Sequence, residues 1–103
     1  MDIEDLKQFQ QALFAKCIDL AKTKGRDYSG VHSDTFYNLR ACERSSICSA
    51  EEGILIRLSD KLSRLTSFIK QGKVINEPIE DTVLDIINYS SYILAIIKEK
   101  QLK

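Results

Sequence analysis

The chain has 103 residues, 44% of them hydrophobic and 29% charged, which fits one folded domain spanning 1–103 and excludes an intrinsically disordered chain. Lysine plus arginine equals aspartate plus glutamate at 15 each. No global field therefore draws the chain onto nucleic acid or a membrane surface, and any anion site must be local.

The first helix is predicted from about Asp2 to Lys24, because Leu6, Phe9, Leu13, Cys17 and Leu20 recur at helical spacing. Gly25 is the expected stop, since glycine takes a left-handed terminal conformation without steric cost. Gly25 to His32 then reads as a loop. Ser33 or Asp34 is placed to cap a short helix running to about Arg44, with Phe36 and Leu39 facing inward.

Ser45 to Cys48 is a break. Ser49 and Glu52 then form a capping-box pattern, in which each side chain meets the other's backbone N–H. Behind it Leu55, Leu58, Leu62, Leu65 and Ile69 form an apolar stripe, predicted to face the core. Arg57, Asp60, Lys61 and Arg64 lie nearly opposite on a helical wheel. Gly72 ends this helix. Pro78 suits the first turn of the next, where its missing N–H is no loss, and Glu80 and Asp81 match the helix dipole there. Ile79, Val83, Ile86, Ile93 and Ile97 are read as the inward stripe. Leu84, Ile87, Leu94 and Ile96 widen it enough to suggest a second subunit as neighbour. Asp81, Asp85, Asn88 and Tyr92 are read as the outward side. The expected architecture is all-α: an antiparallel bundle of three long helices and one short one, joined by short connections.

Cys17, Cys42 and Cys48 are odd in number and lack a C-x-x-C pair, so neither a disulfide framework nor a zinc site is expected. Met1 is followed by Asp2, Glu4 and Asp5, unlike a signal peptide. No apolar run approaches the roughly 20 residues of a membrane span. A cytoplasmic protein is the expectation.

Chemistry can come from three places. Asp81 and Asp85 share a helical face, and Asp60 on the preceding helix could turn toward them. Three carboxylates with water and a substrate phosphate would suit Mg²⁺. Arg57, Lys61 and Arg64 form a basic rail that could meet phosphate, or pair with Asp60 on a solvated face. Lys24-Gly25-Arg26-Asp27-Tyr28 could approach a ligand closely, with Tyr28 stacking on a base, or be a plain turn; it lacks the phosphate-loop spacing. His32 is the single histidine and has no evident nucleophile beside it.

Three segments in order carry a family resemblance: Lys24-x-x-Asp27-Tyr28; Ile56-Arg57-Leu58-Ser59-Asp60-Lys61-x-x-Arg64-Leu65; and Glu80-Asp81-Thr82-x-x-Asp85-x-x-Asn88-Tyr89. Together they resemble the MazG-like all-α NTP pyrophosphohydrolase superfamily, and within it small phage-type proteins of the nucleotide-modification-associated group. The resemblance implies an oligomeric helical bundle, dimeric or larger, that binds a nucleotide. Active members cleave a nucleoside triphosphate with Mg²⁺ to a monophosphate and pyrophosphate. By position it implies Asp60, Asp81 and Asp85 as catalytic metal ligands and Arg57, Lys61 and Arg64 as phosphate contacts. Lys24, Asp27 and Tyr28 would border the nucleotide, with Asn88 and Tyr92 on the same side. The superfamily pattern of E-x-x-E followed by E-x-x-D is altered here to Arg57-x-x-Asp60 and Thr82-x-x-Asp85. Fewer carboxylates weaken metal binding, and an arginine favours direct phosphate recognition. Two functions are therefore expected as alternatives: an Mg²⁺-dependent nucleotide pyrophosphohydrolase, or an inactive protein of the phage anti-defence type that sequesters a nucleotide or cyclic-nucleotide signal.

Overall fold

The computed structural model describes residues 1–29, 34–72 and 78–102, with backbone alone for 25–29. Its order is α1 (Ile3–Ser29), a 3₁₀ turn (Asn38–Arg40), α2 (Ala41–Arg44), α3 (Ala50–Gln71) and α4 (Ile79–Gln101). No strand occurs among the described residues, so the fold is all-α with three long helices and one short one. None of these helices is long and apolar enough to cross a membrane.

Local chemistry explains most of the boundaries. The Ser49 hydroxyl accepts from the Glu52 N–H at 3.1 Å, and Glu52 Oε1 accepts from the Ser49 N–H at 3.1 Å, so the capping box starts α3 as expected. Gly72, with φ of 75°, closes α3 in the left-handed conformation and donates its N–H to the Phe68 carbonyl. Gly25 behaves otherwise: α1 runs through it to Ser29. An internal glycine costs a helix only about 1 kcal/mol, which weakens a helix without ending it. Pro78 lies one position earlier than predicted, as the N-cap of α4 in an extended conformation. Ser33 falls outside the described residues. Asp34 starts the next segment by accepting from the Phe36 N–H, and the chain then forms the 3₁₀ turn and one turn of α2 rather than a continuous helix.

Helix α3 packs antiparallel along α4. Lys61 meets Asp85 near one end and Glu51 meets Lys100 near the other. The core lies at the end of this pair and is small: Leu39, Ala50, Ile54 and Ile96, walled by Phe36, Tyr89, Tyr92 and Ile93. Lys100 clamps that end, pairing with Glu43 and Glu51, while Arg40 reaches Asp34 and Glu99. Helix α1 packs on α4 through its middle. There Lys16 pairs with Glu80 and Asn88 donates to the Cys17 carbonyl, while the turns before Leu13 stay exposed.

Two predicted faces are rotated about their helix axes, with Leu58 and Leu65 on α3 and Ile79, Val83, Ile86 and Ile93 on α4 half-buried. On α3, Leu55, Leu62 and Ile69 are exposed, whereas Ile54 is buried and Lys61 half-buried, so the inward face is turned away from the expected stripe. On α4, Leu84 and Ile96 are buried as expected, but Asp85 and Asn88, read as outward, are buried too, with Thr82, while Ile97 reaches the surface. Helix α4 is apolar nearly all round, so its few polar residues were assigned to solvent; the structure uses them to join helices instead.

Candidate functional site

The polar stripe of α4 meets α1 and α3 at one place. Asp85 sits one and a half turns into α4 with only 4% of its surface exposed. A carboxylate that deep needs partners, because an unpaired buried charge costs several kcal/mol. It has two: Lys24 Nζ on α1 lies 2.8 Å from Oδ1, and Lys61 Nζ on α3 lies 2.9 Å from Oδ2. Each oxygen takes one ammonium, so a single carboxylate ties together the three long helices. One turn on, Asn88 is also buried and donates Nδ2 to the Cys17 carbonyl at 3.1 Å, fixing how closely α1 approaches. Burial also pushes the Cys17 thiol up from its ordinary range, which leaves it an unreactive packing group.

Beside the triad is a pocket whose walls are partly aromatic. Phe36 and Tyr92 meet edge to face at 5.6 Å, and Tyr89 and Tyr92 at 6.2 Å. Lys24, Asp85 and Asn88 close the polar side. The free volume is 20 Å³, about what one water molecule needs. A larger ligand must therefore seat at the mouth or part the aromatic side chains.

Of the residues anticipated from the sequence, Lys24, Lys61, Asp85, Asn88 and Tyr92 are brought together here. Arg64 is half-buried on α3, and Arg57 is exposed. Asp60 is exposed, one residue and so about 100° around the helix from Lys61. Asp81 is exposed in the first turn of α4. Asp27 and Tyr28 as side chains, and His32, lie outside the described residues.

The proposed magnesium ligands can be tested against this geometry. Among the described residues no three Asp, Glu, His or Cys side chains come together. Asp85 directs both oxygens at ammonium groups, the opposite of what a cation requires, and Asp60 and Asp81 stand in solvent. As arranged, the donor set does not fit Mg²⁺.

Sequence reasoning missed Phe36 and Tyr89 as pocket walls and Thr82 as a fully buried residue. A signal was present. Thr82, Asp85, Tyr89, Tyr92 and Ile96 follow three- and four-residue spacing, a stripe that only makes sense facing inward once Ile96 is taken as its anchor. Comparison with protein-family models, with curated proteins and with solved structures finds no match to this chain.

Proposed function

We propose that the chain is a nucleotide-binding protein that holds its ligand without cleaving it. One observation carries the reading: Lys24 and Lys61 bring two ammonium groups from separate helices to a single carboxylate beside an aromatic-walled pocket. The triad carries two positive charges and one negative. A phosphate group arriving there offers the lysines the same kind of oxygen acceptor that Asp85 does. Asp85 keeps both cations turned inward until the phosphate competes for them, which favours polyanions over single weak anions. Tyr89, Tyr92 and Phe36 supply faces and edges on which a base can stack, worth about 1–3 kcal/mol per base where such stacking occurs. The resemblance to MazG-like proteins points to the same ligand class, a nucleotide or a nucleotide-derived signal such as a cyclic nucleotide. Mg²⁺-dependent pyrophosphohydrolysis is the alternative that the resemblance implies; the carboxylates as arranged do not support it.

A thermal-shift screen of nucleoside triphosphates, deoxynucleotides and cyclic nucleotides, with and without Mg²⁺, tests this. A ligand at 100 times its Kd stabilises the folded state by about 2.7 kcal/mol, well within reach of such a screen. The expected result is a shift that does not need Mg²⁺, with no pyrophosphate released, and its loss in Lys61→Met. Pyrophosphate release that requires Mg²⁺ and disappears in Asp81→Asn would replace sequestration by hydrolysis. No shift with any nucleotide would defeat both.

A further inference from the structure

Two of the three cysteines come together where the chain passes from α2 to α3. Ser46, in the left-handed region at φ 59°, folds the chain back after α2. The Ile47 N–H then donates to the Cys42 carbonyl at 2.9 Å, and the Cys48 N–H to the same oxygen at 3.4 Å. Those bonds lay the two cysteine backbones side by side, as a disulfide with its Cα atoms about 4.4–6.8 Å apart requires. The side chains converge as well. A Cβ built on Gly53 would stand 2.8 Å from Cys42 Sγ and 3.8 Å from Cys48 Sγ, so both sulfurs lie over the one glycine within α3. A glycine weakens a helix, and here it leaves the room that the two sulfurs occupy. The thiols also meet each other: Cys42, as its side-chain hydrogen-bond partner, pushes the Cys48 thiol up from its ordinary range, and burial adds to this.

Oxidation would cost the surroundings little. Cys42 donates to the Ser49 carbonyl at 3.3 Å, but that oxygen also accepts the Gly53 N–H at 3.0 Å, so losing the S–H strands no acceptor there. Both thiols are half-buried, within reach of a small reagent, whereas Cys17 is buried against α4.

We propose that Cys42 and Cys48 form a reversible disulfide, a redox site whose oxidant is a small-molecule disulfide. Either thiol, once deprotonated, attacks one sulfur of the small disulfide. A mixed disulfide forms, the small S–S bond breaks, and one small thiolate leaves and takes up a proton. The second cysteine, as thiolate, attacks the protein sulfur of the mixed disulfide and expels the other small thiolate, which is protonated in turn. The two protein thiols have lost two electrons, and the small disulfide has become two thiols. Only the thiolate attacks, so the raised Cys48 thiol makes the exchange slow at neutral pH and faster as pH rises. The bond ties α2 to the residue before Ser49, the cap of α3. It thereby fixes the wall that Leu39 gives to the core and to the pocket beside Asp85.

Glutathione is the probe. The full chain is equilibrated in mixtures of reduced and oxidised glutathione, its thiols are trapped by alkylation, and the products are mapped by mass spectrometry. The expected product is a single chain with Cys42 joined to Cys48 and one free thiol left of three, at Cys17. Excess dithiothreitol should restore all three. Cysteines six residues apart also meet in an unfolded chain, so the fold must add to this tendency. Half-oxidation should need about tenfold less oxidised glutathione in buffer than in concentrated urea, because a bond that stabilises the fold is favoured by it in return. By the same linkage the oxidised chain should melt at a higher temperature than the reduced one, and Cys48→Ser should abolish that difference. Glutathione adducts at Cys42 and Cys48 with no bond between them, bonding of either to Cys17, or equal oxidation in buffer and in urea would each overturn the proposal.

Discussion

Replacing Asp85 by asparagine keeps the shape of the side chain and removes its charge, which isolates the electrostatic contribution of the triad. The carboxylate is 4% exposed and its side chain lies 2.9 Å from a Lys61 whose side chain is 14% exposed. Lys24, at 2.8 Å, is 32% exposed and can turn its ammonium back to water. Most of the cost therefore falls on Lys61. Breaking a buried pair by removing one partner costs about 3–5 kcal/mol, and the freedom of Lys24 sets the expectation at the lower end, about 3 kcal/mol. A domain of this size has about 5–15 kcal/mol in all, so the variant should still fold. In urea, followed by circular dichroism, its midpoint should fall by about 2–3 M, given a slope of about 1–1.5 kcal/mol/M for a small domain. The triple variant Asp85→Leu, Lys24→Met, Lys61→Met buries no charge and should recover most of the loss. A midpoint for Asp85→Asn within about 0.5 M of the wild-type value would refute the idea that the three helices are joined through this carboxylate.

Gly53 lies in the first turns of α3 where alanine would ordinarily gain about 1 kcal/mol. A Cβ there would stand 2.8 Å from Cys42 Sγ, a thiol held by its hydrogen bond to the Ser49 carbonyl. Gly53→Ala should thus destabilise by about 1 kcal/mol, and in a Cys42→Ala background the same change should stabilise; chemical denaturation of the two pairs reads the reversal. Ser49→Ala removes the acceptor for the Glu52 N–H and should cost about 1 kcal/mol, seen as earlier exchange of the first amides of α3. Acid should loosen that same end. The Ala50 N–H and then Lys100 hold the Glu43 carboxyl below the ordinary glutamate range, and the N–H and hydroxyl of Ser49 do the same for Glu52. A carboxyl depressed on folding contributes stability that is complete above the unfolded value of about 4.3 and is lost as pH falls through the lower folded value. Melting temperature should therefore be level at neutral pH and drop below about pH 4.3, with a smaller drop in Glu43→Gln; a flat profile down to pH 3 would contradict the assignment.

Much of the fold was legible because it is set locally. The Ser49 and Glu52 pair, Gly72 at positive φ and the helical spacing of α1, α3 and α4 each act within a few residues of chain, so pattern alone located them. Gly25 was misjudged for the same reason in reverse. A glycine stops a helix only where the chain beyond it takes another conformation, and that is decided by residues the glycine does not touch. The segment at Asn38–Arg44 is held by non-local pairs, Arg40 to Glu99 and Glu43 to Lys100, and no spacing within it announces them.

The site was legible as a set of residues but not as an arrangement. Lys24, Lys61, Asp85, Asn88 and Tyr92 could be chosen from charge and helical spacing, yet the wheel turned Asp85 and Lys61 outward. It did so by assuming that the most regular apolar stripe of a helix faces its own core. On α3 that stripe is half-buried at Leu58 and Leu65 and exposed at Leu55, Leu62 and Ile69, and the core instead takes Ile54 and the stem of Lys61. Lysine can do this because its four-carbon stem buries well while its ammonium finds a partner at the far end. With Lys61 inward, Asp85 is inward beside it, and the ammonium 2.9 Å away offsets the cost of burying the carboxylate. The misplaced stripe and the misplaced acid thus have one cause: α3 is turned about its axis relative to the expected stripe, so that Ile54 and Lys61 face α4. The triad has its own part in that rotation. It sets the rotation of α3 about its own axis, holding Lys61 toward α4 and so turning Leu55, Leu62 and Ile69 outward.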